Sequence, residues 1–197
     1  MDNATRPHPR GQRSDAAHNH ESLVRAAIAA VLREGPRVPM ATIAADAGVG
    51  IGTLYRHFAT REQLLAFLAH RSFEQVLANA LSAEREAPTG NDALRRFIEA
   101  AMAQRDRLVL PLHGGPPVSA PQTLAVRDQV HRAIQRIMQR GHIDGTIARN
   151  VSPRDIVTFG AMLAQPGHPD SAWDATCRRL LTTYLNGVRV RTEHSSH

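Results

Sequence analysis

Residues 47–58, AGVGIGTLYRHF, hold the side chains whose types and spacing could do chemistry. Glycines at 48, 50 and 52 lead into Thr53, Tyr55, Arg56 and His57. Hydroxyls, a guanidinium and an imidazole so close together suit hydrogen bonding to phosphate oxygens and base edges. Gly50 and Gly52 remove side chains near a helix start, so the backbone can approach an anion closely. The unpaired N–H groups and positive dipole end of that helix favour such an anion. Leu54 and Phe58 are four apart and share one face, which anchors the helix inward. Thr53, Arg56 and His57 point largely elsewhere. Ile51 stands at i, i+3, i+7 with Leu54 and Phe58, a spacing that fits core as well as contact. Tyr55 fits half-buried packing as well as contact, and His57 alone would read as a surface histidine.

These residues need a short helix held by others, and the flanking sequence supplies them. Leu23, Val24, Ala27, Ile28, Val31 and Leu32 give a first helix one apolar face, and Gly35-Pro36 stops it. Pro39 suits the start of a second, short helix with Ile43, Ala44 and Ala47 inward. Gly48 ends that helix where the chain must turn left-handed. The third helix is expected over residues 50–58. Thr60 and Gln63 then form a capping box for a long amphipathic helix carrying Leu64, Leu65, Phe67, Leu68, Val76, Leu77 and Leu81. Two short helices joined by a tight glycine turn make a helix-turn-helix, here over about 39–58. In that motif the second helix enters the DNA major groove.

The segment IAADAGVGIGTLYRHFATREQLL resembles the DNA-binding segment of the TetR family of bacterial transcriptional regulators. The match rests on Ile43-Ala44, Ala47-Gly48-Val49, Gly52-Thr53-Leu54-Tyr55, His57-Phe58 and the acid and leucines of TREQLL, within residues 18–78. The resemblance implies phosphate contacts for Tyr55, His57, Arg61 and Thr42. It places Thr53 near phosphate and base edges, and Ile51 and Gly52 at the groove floor. A contact between Ile51 and a thymine methyl follows from it. Gly50 and Arg56 complete the expected DNA-binding set. There are departures: Val38-Pro39 stand where the family often has Thr, and Ala41 where some members carry a base-reading Arg. Direct readout is therefore expected to be thin, with more weight on shape and phosphate.

The whole chain reads as all-α. Residues 1–16, with Arg6, Arg10 and Arg13, read as a disordered basic arm; 17–80 as the DNA-binding domain; 81–197 as a helical ligand-sensing and dimerisation domain joined to it by the long helix. Helical periods recur at 92–106, 122–140, 153–165 and 171–187, and PLHGGPPVSAP is a Pro/Gly loop between the first two. Met102, Met138, Met162 and Trp173 lie on apolar faces, where they either pack the core or line a ligand cavity. Ile156, Phe159, Gly160, Leu163, Cys177, Leu181 and Tyr184 spread wide apolar surface over the last two helices. The family arrangement implies a four-helix dimer interface there.

Composition excludes several classes. No apolar run approaches a membrane span, and the polar N-terminus lacks a signal core. With one cysteine, Cys177, there is no intrachain disulfide and a cytoplasmic location is expected. His18 and His20 are two apart and share no helix face, so no metal or other cofactor is expected. No Ser-His-acid or paired-carboxylate set converges, so no enzyme is expected. The net charge is +6, yet residues 1–63 carry eight Arg against six acids. Charge alone is thus a weak argument for nucleic acid. The expected function is a sequence-specific transcriptional regulator, a repressor binding a pseudo-palindromic double-stranded operator as a homodimer and released by a small ligand. The other reading is a helical small-molecule-binding or interaction protein that has lost DNA binding.

Overall fold

The computed structural model describes residues 9–166 and 171–189. Among them are eight α-helices and no strand: α1 (Pro9–Glu34), α2 (Met40–Asp46), α3 (Ile51–His57), α4 (Arg61–Glu86), α5 (Gly90–Ala103), α6 (Pro121–Ile143), α7 (Pro153–Leu163) and α8 (Ser171–Gly187). The expected arm is corrected in part. Residues 1–8, including Arg6, lie outside the described residues, but 9–16 belong to α1, so Arg10 and Arg13 are helical. Pro9 stands in the first turn, where a missing N–H breaks no helical bond.

Local signals set the other ends. Gly35 (φ +85°) and Gly48 (φ +67°) turn the chain left-handed after α1 and α2. Thr60 caps α4 by accepting from the Gln63 N–H at 3.1 Å. The Gln63 side chain answers by accepting from the Ala59 N–H, one residue before the cap's own amide. Ser152 and Asp155 form a complete capping box at α7.

Two cores result. Leu23, Val24, Ala27 and Val31 of α1 meet Ile43 of α2, Leu54 of α3, and Leu64, Leu65 and Leu68 of α4. The second core gathers Ala80 and Ala83 of α4 with α5, α6, α7 and α8. The two ends of α4 therefore serve different cores, and a helix of 26 residues, about 39 Å long, can reach both. Within the second core α5 crosses α6 at a glycine pair. A Cβ on Gly90 would lie 2.3 Å from the Gly141 Cα, so neither helix could approach with a side chain there.

One residue breaks the separation. Leu108, Val109 and Leu110 follow a 3-10 turn at Arg105–Arg107, and the backbone at Leu108 and Leu110 is extended. Extended residues point alternately to opposite sides. Val109 is wholly buried in the first core, between the helices of the N-terminal domain, although the chain around it belongs to the second domain. Its N–H donates to the Ser72 hydroxyl at 2.9 Å, and that hydroxyl donates to the Leu68 carbonyl at 2.7 Å. Val109→Ala should cost about 2 kcal/mol of stability through lost burial and a residual cavity. Ser72→Ala should cost about 1–3 kcal/mol by leaving a buried amide without a partner. Urea titration followed by circular dichroism reads both; an unshifted midpoint for either would show that the contact adds nothing to stability.

Candidate nucleic-acid interface and cavity

Helix α3 is held from one side only. Leu54 is fully buried and Phe58, just after the helix, nearly so. Phe58 packs on Phe67 with ring centroids 5.3 Å apart, and His20 of α1 lies edge-on to Phe67 at 5.7 Å. Val49 packs on the same core through the turn. The bracing helix α2 is tied to α1 by Arg33, which reaches Asp46 at 2.8 Å on the surface. An exposed pair of this kind adds little stability, so the aromatic and aliphatic contacts set the orientation of α3.

The opposite face of α3 is open. Ile51 is 43% exposed and Tyr55 48%. Gly50, Gly52, Arg56 and His57 are also exposed, while Thr42, Thr53 and Arg61 are half-buried. Exposure decides between the two readings of the Ile51 spacing: it is not core. The ring of His57 lies 5.3 Å from that of His20, so its backing comes from α1. No side chain caps the N-terminus of α3. Gly50 and Gly52 have φ values open to any residue, and a Cβ at either would meet nothing within 4 Å. Their own chain does not require glycine there. Bare backbone on an exposed face is what a close external contact would need. Arg61 opens α4 beside this face, and its buried Nε has no hydrogen-bond partner.

The comparisons with known proteins bear on this face. Residues 23–68 match the profile of bacterial regulatory proteins of the tetR family. This segment runs from within α1 to within α4 and holds both short helices, α2 and α3. The chain is 34% identical over 114 residues to the HTH-type transcriptional repressor LfrR of Mycolicibacterium smegmatis, a match covering 56% of this chain and 58% of that repressor. The chain thus matches little more than half the length of that relative. The fold is shared more widely. The TetR family regulator PfmR of Thermus thermophilus superposes with a TM-score of 0.66 at 21% identity, over 85% of this chain and 99% of that one. AibR, solved in complex with isovaleryl coenzyme A and operator DNA, superposes with a TM-score of 0.67 at 14% identity, over 84% and 97%.

The cavity is not where the methionines suggested. A space of about 370 Å³ opens between α4, α5, α6, α7 and the loop 108–118. Met102 and Met138 are buried in the second core, Trp173 packs against that core and Met162 faces solvent. None of the four lines the space, so their assignment to a pocket is corrected. Its walls include Phe73, Val76, Phe97, Leu110, Val130 and Val157. The Pro/Gly loop and the residues just before it supply one side: Leu108 and Leu110 line the space, while Val109 turns away into the first core. His113 at the end of this stretch lies with Nε2 3.2 Å from the Ala161 carbonyl. Burial pushes its pKa below the ordinary histidine value, against the nearby carbonyls of Leu108 and Ala161.

The dimer residues also divide. Ile156, Gly160, Leu163, Cys177 and Leu181 are buried inside their own subunit, so they are corrected from interface to core. Gly160 lets α7 approach Ile98 of α5, whose Cγ1 would be 3.4 Å from an added Cβ. Phe159 and Tyr184 are half-buried and stack on one another with centroids 3.9 Å apart. Met162 and Leu180 extend this pair as exposed apolar side chains, 62% and 49% exposed.

Tyr55→Phe and Arg61→Ala should each weaken binding to DNA of any sequence while leaving the fold intact. Arg61→Ala should also lower the slope of log affinity against log salt by about one. Fluorescence anisotropy at several salt concentrations measures this; an unchanged slope would remove Arg61 from the interface.

Proposed function

We propose that the protein is a sequence-specific DNA-binding repressor that acts as a homodimer on a pseudo-palindromic operator and is released by a small ligand. The observation that carries this reading is the open face of α3. Ile51, Gly52, Tyr55, Arg56 and His57 stand exposed on a helix anchored from behind by Leu54 and Phe58. A helix face that presents both polar and apolar side chains to solvent, with bare glycine backbone at its start, suits the floor of a major groove. Ile51 would meet thymine methyls, Tyr55, His57, Thr42 and Arg61 would hold phosphates, and Thr53 would reach both. The repressor function of the mycobacterial relative supports the same direction of control. AibR, with its bound DNA and acyl-coenzyme A, supports the pairing of operator and small ligand.

The face on α7 and α8 suits the dimer. Phe159 and Tyr184 pack half-buried on the edge of the second core, and Met162 and Leu180 beside them are exposed. Two such helices from each subunit would make a four-helix interface, and a lasting one buries on the order of 2,000 Å². Recognition helices on a dimer must sit about 34–36 Å apart to enter successive major grooves. A ligand that binds the spread form better than the DNA-bound form would release both half-sites together. No catalytic step is proposed. No helix among the described residues is long and apolar enough to cross a membrane.

Selection of DNA from a random pool by the purified protein tests the reading. Paired half-sites with about one helical turn between their centres are the expected outcome; no enriched sequence would reject sequence-specific binding. The double variant Met162→Glu, Leu180→Glu should be a folded monomer by light scattering and should bind the selected site at least tenfold more weakly. A particle of dimer mass with intact affinity would reject this interface. Leu181 is unsuitable for such a test, because a charge at a fully buried position would unfold the subunit first.

A further inference from the structure

The cavity is chemically one-sided. Among the residues that line it the ionisable side chains are Arg127, His131 and His113; no aspartate or glutamate takes part. Arg127 and His131 are four apart on α6, so they project from one face of that helix and share one end of the space. The Arg127 guanidinium touches Asp128 at 3.4 Å, a pair on the exposed side of α6, while its buried Nε has no hydrogen-bond partner. The His113 ring is buried beside the carbonyls of Leu108 and Ala161. Everything else in the lining is hydrocarbon, proline, glycine or alanine.

We propose that the cavity takes an amphiphilic monoanion, a compact apolar body carrying one carboxylate, with the carboxylate at Arg127 and His131. A cationic ligand would find no counter-charge and two basic groups. A polyhydroxylated ligand would leave most of its hydroxyls buried against hydrocarbon without partners. A purely apolar ligand would leave the Arg127 Nε unsatisfied. A carboxylate head accepts from the guanidinium in a charge-assisted bond, and the body removes apolar surface from water. The space is near the lower end of the range for small-molecule pockets, which suits a short hydrocarbon body. The proposal rests on the ligand-release reading for its effect on DNA, but binding itself does not depend on it.

Isothermal titration calorimetry of the full chain, without DNA, separates the two. The probes are decanoate below its micellar concentration, decanol and decylammonium. Decanoate should bind, decanol at least tenfold more weakly, and decylammonium not at all. Arg127→Gln should lower decanoate affinity at least tenfold and leave decanol unchanged. Ala161→Trp should fill the space and abolish binding of both; if it does not fold, Val157→Phe serves the same purpose. Equal or tighter binding of decanol or decylammonium, no effect of Arg127→Gln on decanoate, or decanoate binding by a folded, filled variant would each overturn the proposal. DNA affinity is then measured with and without saturating decanoate. Calorimetric binding with unchanged DNA affinity would leave the ligand class standing and reject ligand release. No calorimetric binding would reject the ligand class and leave the DNA-binding reading standing.

Discussion

The structure depends on the short stretch Leu108–Leu110, whose two ends are extended. Leu108 and Leu110 wall the cavity, and Val109 between them is buried in the core that orients α3. Consecutive residues of an extended chain cannot move independently. The cavity wall and the first core are one peptide unit apart on either side of Val109. The Val109 amide is fixed to Ser72, and Ser72 to the Leu68 carbonyl, which ties the same stretch to α4.

The long helix α4 is a second link between the two cores. Its first half is part of one core and its second half part of the other. Bidentate ion pairs fasten it at both levels: Arg71 to Glu21 of α1 at 2.9 Å, and Arg136 of α6 to Glu84 at 2.7 Å. The paired guanidiniums hold both carboxyls below the usual glutamate pKa range. These pairs are exposed enough for water to screen them, so they guide geometry more than they stabilise. The energy lies in the two apolar clusters, and α4 cannot tilt without disturbing both.

Each of the two C-terminal helices divides its apolar residues between a buried strip and an open one. On α8, Cys177, Leu181 and Leu185 face the subunit core, while Leu180 and Tyr184 lie on the next strip round the helix. On α7 the same division separates Ile156, Gly160 and Leu163 from Phe159 and Met162. A wide apolar surface in sequence is thus two narrow ones in space. Only the outer strip is available to a second subunit.

The sequence by itself determined what depends on near neighbours. Helix ends were legible at Gly48, Thr60 and Ser152, because caps and left-handed glycines act within four residues. The inward pair Leu54 and Phe58 was legible because helical spacing sets it, and the resemblance to the TetR family rested on that same local pattern. The tertiary structure alone decided matters that depend on distant partners. Spacing placed Ile51 equally well in the core or at a contact; the absence of any neighbour over it made it exposed. Met102, Met138, Met162 and Trp173 look alike on their helices, yet the cavity opens beside the Pro/Gly loop and the apolar run Leu108, Val109 and Leu110 before it, whose opposite facings depend on distant partners. Periodicity marks the faces of Gly160 and Leu181 as apolar without saying which partner covers them, and here the subunit's own core does. That choice rests on the crossing of α5, α7 and α8, whose contacts join residues too far apart in sequence for any local pattern to record.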